Sequence, residues 1–200
     1  MSKRRLIISV TDKTGIEKFK QLTDVGWEII STGGTAKALM DANVPVTLIE
    51  KVTGFPEMMN GRVKTLHPLV FGGILAVRDK PAHMEAALEH NIEMIDIVVV
   101  NLYDFAGNPD IEQIDIGGPS LIRAAAKNGI STIPLIDPDD YDSVINEVIK
   151  TGGITETQRE YLVMKVFAQT GRYDTEIWRW MAKQVQAGNH FLTPATVTKH

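Results

Sequence analysis

Short apolar blocks alternate with amphipathic stretches along the chain. Leu6-Ile7-Ile8-Ser9-Val10 has the length and β-branched content of one strand, and Ile16, Phe19 and Leu22 follow at helical spacing until Gly26 closes the segment. The rhythm repeats with a strand over residues 27–30, a turn over 31–35, a helix over 36–42 and a short third strand over 46–49. Residues 53–73 break it. They are rich in Gly, Pro and Met and predict a long irregular segment, which in compact domains is often functional. A helix over 81–90 leads into Ile95-Asp96-Ile97-Val98-Val99-Val100, a nearly continuous apolar run of the kind a central strand buried on both faces shows. Pro119 then opens a helix of strong helix formers through Lys127, stopped by Asn128-Gly129. A last strand over 132–136 precedes a helix started by Asp137-Pro138 and running to about residue 150. This alternation predicts an α/β fold of parallel βαβ units, whose ligands gather at the carboxyl ends of the strands.

Thr151-Gly152-Gly153 marks a hinge, and Thr155 with Gln158 has the capping-box pattern of a further helix. Residues 173–186 look like another. Phe167, Trp178 and Trp180 are more aromatic surface than an appendage leaves in water, so these helices are expected to pack on the α/β domain or on a partner subunit. The expected organisation is an α/β domain over 1–152, a C-terminal helical extension over 153–187 and a loose tail over 188–200.

Composition narrows the function. The formal net charge of −4 repels nucleic acid and phospholipid, so an anionic ligand needs a local site. The absence of cysteine removes disulfides, thiolate nucleophiles and cysteine-ligated zinc. The N-terminal apolar run is a strand's length and reads as no signal peptide, no stretch is long enough to span a bilayer, and the cytoplasm is the expected location.

Ser31-Thr32-Gly33-Gly34-Thr35 lies between a strand and a helix, where unpaired N–H groups and hydroxyls can wrap a phosphate at the positive end of the helix dipole. A plain tight turn would use the same two glycines. Lys13, with Ser9 and Thr11 beside it, adds phosphate-binding chemistry from the neighbouring strand end. Arg62, Lys64 and His67 make a local cationic cluster in an acidic chain, and His67 has no second ligand at metal spacing. Asp115 places a carboxylate ahead of a helix N-terminus. Signatures of dinucleotide binding, a P-loop or a nucleophile elbow are missing.

Seven segments together carry a resemblance: Ser-Val-Thr-Asp-Lys-Thr-Gly, Ile-Ser-Thr-Gly-Gly-Thr-Ala-Lys, Thr-Gly-Phe-Pro-Glu-Met, Gly-Arg-Val-Lys-Thr-Leu-His-Pro, Asn-Leu-Tyr, Ile-Asp-Ile-Gly-Gly-Pro and Arg-Ala-Ala-Ala-Lys-Asn. In this order they resemble the motifs of inosine monophosphate cyclohydrolase, the N-terminal half of the bifunctional purine-biosynthesis enzyme. The resemblance implies a methylglyoxal-synthase-like three-layer domain with a mostly parallel sheet plus C-terminal helices, a homodimer, and no metal or redox cofactor. It implies closure of 5-formamidoimidazole-4-carboxamide ribonucleotide to inosine monophosphate with loss of water. On the matching positions, Ser9, Lys13, Ser31, Thr32, Gly33, Gly34 and Thr35 are substrate-binding residues on the phosphate side, while Arg62, Lys64, Thr65, Asn101, Tyr103, Ile116 and Gly117 lie on the base and reaction-centre side. Asp115 is the expected base, Lys64 the stabiliser of the formyl oxygen, Tyr103 the orienting group and Lys127 the proton donor to the leaving hydroxyl.

A straight helix from Pro119 to Lys127 would separate acid from amine by roughly 12 Å. Either the Gly117-Gly118 loop folds the acid back along the helix, or the pair comes from two subunits. The chain departs from the family at Asp104, where proline is usual, and in the short connection over 107–113. The transformylase half is missing, so a stand-alone cyclohydrolase served by a separate transformylase is expected. A methylglyoxal synthase and a nucleotide-binding regulatory module on the same fold are the competing readings.

Overall fold

The computed structural model describes residues 3–59 and 63–192. β1 (Arg5–Ile8) is followed by a 3₁₀ turn and α1 (Lys20–Asp24), then β2 (Glu28–Ser31), α2 (Gly33–Asp41), β3 (Thr47–Leu48) and α3 (Ile49–Thr53). α4 (Pro68–Leu75), α5 (Pro81–Glu89), β4 (Ile97–Val99), α6 (Gly117–Lys127), β5 (Ile133–Leu135), α7 (Tyr141–Thr151) and α8 (Glu156–Gln186) complete the chain. The five strands form one parallel sheet in the order β3-β2-β1-β4-β5.

Alternate strand residues feed two cores because strand side chains point to opposite faces. Leu6, Ile8, Ile29, Ile97 and Val99 meet Phe19, Leu22 and Leu39 from the first two helical segments and Val144 and Ile145 of α7. Ile7, Ile30, Val98 and Val100 meet Ile49, Val70 and Ile74 of α3 and α4 and Leu121 and Ile122 of α6. The result is parallel βαβ units, as the alternation predicts, in the three-layer architecture that the family resemblance implies. α8 contributes Leu162 to one core and Val166 to the other, so it packs along the β5 edge and covers it. Pro134 fits that edge, since a proline has no N–H to give a further strand.

Two expected features differ. Residues 53–73 are not irregular throughout: His67 caps α4, its ring Nδ1 accepting the Leu69 N–H at 3.2 Å, with Pro68 in the first turn. The segment is apolar on most sides and contains Gly72 and Gly73, so it carries no amphipathic period to read. The C-terminal extension is one helix of 31 residues rather than two, opened by the Thr155–Gln158 capping box. Gly171 lies inside it without ending it, because a helix tolerates one glycine at a cost of about 1 kcal/mol when its flanks pack. Trp180 is half-buried, edge-on to Phe105 at 5.6 Å, whereas Phe167 and Trp178 stay exposed. Residues 193–200 of the expected tail lie outside the described residues.

If α8 belongs to the folding unit, Leu162→Ala lowers stability by about 2 to 5 kcal/mol in urea unfolding. A change below about 0.5 kcal/mol would mark α8 as an unattached appendage.

Candidate active site

β1 has β2 on one side and β4 on the other, so the chain's progress across the sheet reverses there and the loops leaving the strand ends diverge. They enclose a cleft of about 520 Å³ lined by residues from five segments: 9–13, 32–35, 64–66, 101–103 and 111–118. That volume is in the range of small-molecule sites.

Side-chain hydrogen bonds tie the segments together. The Asn101 Oδ1 accepts the N–H groups of Thr11 and Asp12 at 2.7 and 3.0 Å, and its Nδ2 donates to the Asp12 carbonyl at 2.7 Å. Thr35 Oγ1 donates to the Val10 carbonyl at 2.9 Å and accepts the Val10 N–H at 3.2 Å. Ser31 is fully buried and its hydroxyl donates to the Ile8 carbonyl at 2.7 Å. Asn101 and Thr35 therefore line the cleft while their polar atoms hold the loop after β1, and Ser31 lies behind it.

One end of the cleft is the first turn of α2. Thr32 makes no side-chain cap there, which leaves the N–H groups of that turn directed outward. Gly33 has a φ of 46°, a left-handed value that a side chain disfavours, and Lys64 Nζ comes to 3.4 Å from where its Cβ would be. The ammonium, held by Glu57 at 3.2 Å, and the helix dipole thus reinforce one another as a positive pole. Lys13 is exposed on the adjacent loop, its Nζ donating to the Thr11 carbonyl at 3.2 Å.

Asp115 occupies the other end. Its Oδ1 accepts the Gly118 N–H at 3.1 Å, and a Cβ at position 118 would collide with its second oxygen, so a side chain there would push the carboxylate from its place. Burial pushes the Asp115 carboxyl above the ordinary aspartate range, and the N–H groups of Gly118 and Gly117 offset this only in part. Thr65 Oγ1 lies beside Gly117. Lys64 and Thr65, adjacent in sequence, therefore reach the two opposite ends of the cleft. Tyr103 and Ile116 complete its walls, and Tyr103 also borders a second hollow of about 350 Å³ toward α8.

Lys127 is not among the lining residues. It sits exposed at the far end of α6, whose eleven residues separate it from Asp115 by roughly 15 Å. The acid caps the first turn and does not fold back along the helix, which removes the first of the two geometries considered for that pair. Arg62 lies outside the described residues. Gly118 and Tyr173 were missed in the sequence: Gly118 was legible as the second glycine of Gly117-Gly118, whereas Tyr173, whose hydroxyl oxygen accepts the Asp115 N–H at 2.9 Å, is 58 residues away and carried no local signal. Among the described residues no group of three or more His, Asp or Glu could hold a metal ion, and no helix is long and apolar enough to cross a membrane.

Comparison with known proteins identifies the family of the chain. Residues 15–134 match the model of the MGS-like domain, and residues 125–199 match that of the AICARFT/IMPCHase bienzyme. Bifunctional purine biosynthesis protein PurH from Streptococcus suis (strain 05ZYH33) is 52% identical over 192 residues, covering 91% of this chain and 37% of that protein. PurH from Streptococcus pyogenes serotype M2 (strain MGAS10270) gives the same identity and coverage. The chain thus spans 37% of the length of these relatives. The crystal structure of ForH superimposes with a TM-score of 0.80 at 38% identity, covering 88% of this chain and 97% of that one.

The raised Asp115 pKa has a consequence for stability. Between the unfolded and folded midpoints the native state binds more protons, so the contribution of Asp115 falls as pH rises through that window. Asp115→Asn lacks this loss. Its melting temperature relative to the unsubstituted protein therefore climbs as pH is raised from about 4, near the ordinary aspartate midpoint, toward neutrality. A difference that is flat or shrinks over that range contradicts the buried-acid assignment.

Proposed function

The chain belongs to the MGS-like domain family, and on that premise we propose that it is an inosine monophosphate cyclohydrolase, closing 5-formamidoimidazole-4-carboxamide ribonucleotide to inosine monophosphate with release of water. One observation carries the reading: a single cleft has a positive, amide-lined pole at Gly33 and a partly buried carboxylate at Asp115. A nucleoside monophosphate has the matching polarity. Its 5′-phosphate meets the first turn of α2, Lys13 and Lys64, and its heterocycle extends toward Asp115. The PurH name of the relatives supports the purine assignment.

Ring closure joins the carboxamide nitrogen to the formyl carbon. A neutral amide nitrogen attacks poorly unless it loses its proton as the bond forms, and a carboxylate held above its usual pKa is a stronger base for that proton. The formyl oxygen gains negative charge in the same step. The Thr65 hydroxyl, beside Gly117 at the Asp115 end, and the adjoining backbone N–H groups are the donors for that charge, one such donor being worth about 3 to 4 kcal/mol in comparable sites, whereas Lys64, expected in that role, reaches the phosphate end instead. Tyr103 orients the heterocycle. Water then leaves when the carbinol hydroxyl is protonated, the role of Lys127. Because both reacting groups belong to one molecule, much of the entropic barrier is already removed.

A second subunit supplies that lysine. Ile116 and Ile130 flank α6 and Met164, Phe167 and Trp178 lie on α8, all of them exposed, with the Arg123 guanidinium stacked 5.2 Å from the Phe167 ring. So many large apolar side chains left exposed fit a homodimer contact. A separate transformylase would deliver the formylated substrate.

Ultraviolet absorbance should register inosine monophosphate when the protein meets the formylated ribonucleotide, and no product at any protein concentration would refute the assignment. Asp115→Asn and Lys127→Ala should each abolish turnover, and an equimolar re-associated mixture should regain about a quarter of the activity, because half the dimers are mixed and one site in each is intact. A mixture as inactive as its components, with mixed dimers demonstrated, excludes the shared site.

A further inference from the structure

We infer that Tyr173, on α8, is a positioning residue for the Asp115 base: its hydroxyl oxygen accepts the Asp115 backbone N–H at 2.9 Å and fixes the turn that presents the carboxylate to the cleft. Asp115 is thereby held from both sides. Its main-chain nitrogen is tied to α8, and its carboxylate oxygen is tied to the Gly118 N–H at 3.1 Å. With both anchors made, the side chain keeps little rotational freedom.

The support behind Tyr173 is rigid. The residue is 3% exposed, its ring is edge-on to Phe105 at 6.2 Å, and Phe105, 1% exposed, is in turn edge-on to Trp180 at 5.6 Å. The chain of rings Tyr173–Phe105–Trp180 makes the C-terminal helix and the 105–107 turn a shared buttress for the acid. Burial raises the Tyr173 hydroxyl above its ordinary pKa, so it remains a neutral acceptor throughout the working range. A phenylalanine would leave the Asp115 N–H unpaired beside an apolar ring, and the turn would relax toward water to satisfy it.

The ionisable groups that share the cleft with the acid or lie near it come from several elements. Lys64 belongs to the segment before α4, Lys13 to the loop after β1, Tyr103 to the end of β4 and Glu112 to the acid's own loop, while α8 brings Tyr173 and Asp174. Replacing Tyr173 by phenylalanine alters none of these charges near neutral pH. A shift in the Asp115 titration therefore reports its exposure to water and not a lost charge.

Carboxyl ¹³C NMR of the full chain, without substrate, follows the Asp115 titration directly. In Tyr173→Phe the midpoint moves down toward the ordinary aspartate range; in Tyr161→Phe, an exposed position on the same helix, it does not move. The kinetic arm rests on the cyclohydrolase reading. In it, Tyr173→Phe lowers kcat roughly tenfold, leaves KM within about twofold, and shifts the acid limb of the pH profile downward. An unmoved midpoint with unchanged kcat in folded Tyr173→Phe overturns the inference. Should that variant fail to fold, Phe105→Leu keeps the hydroxyl but loosens its ring. It must then show a smaller downward shift, and no shift overturns the inference equally. Failure of the unsubstituted protein to form inosine monophosphate sinks the functional reading but leaves the titration arm intact.

Discussion

Because β2 and β4 flank β1 on opposite sides, the backbone leaving the three strand ends cannot continue as a ladder, and its polar groups must find other partners. This constraint creates the site. Asn101, just past β4, and Thr35, in the first turn of α2, answer part of it by clamping the loop after β1. The N–H groups of the first turn of α2 remain directed into the cleft, where the Lys64 ammonium adds positive charge. An anion is the natural occupant of that end.

The opposite end solves a different problem. A carboxylate useful as a base should be short of water, yet a buried charge is costly unless hydrogen bonds meet it. Asp115 is placed between those demands: burial raises its pKa, while the amides of the Gly117-Gly118 turn keep part of its charge satisfied. Gly118 leaves room for this contact, because a side chain there would occupy the carboxylate's place. α8 is tied to this arrangement through Tyr173, and it also closes the β5 edge and contributes to both cores. The packing of both cores and the Asp115 turn thus share one long helix.

Much of this was legible in the residues. Apolar blocks alternating with helical spacing fixed the parallel α/β class, and Ser31 through Thr35 marked the passage from a strand to a helix because it lies between an apolar run and a helical segment. Position along the chain was a poorer guide to what each polar group does. Ser31 and Asn101 read as ligand-binding residues, yet their atoms satisfy neighbouring backbone, a use that depends on which strands become neighbours. α4 was hidden because a helix buried on most sides has no polar stripe. The Asp115–Tyr173 contact was illegible for the same reason as any pairing across 58 residues: it is set by packing, not by local propensity.

The most direct test is the crystal structure of the protein soaked with inosine monophosphate. The account predicts the phosphate at the N–H groups of residues 33–35 near Lys64, with the purine ring directed toward Asp115 and bordered by Tyr103. A phosphate bound elsewhere, or a purine turned away from Asp115 with the phosphate correctly seated, would contradict it.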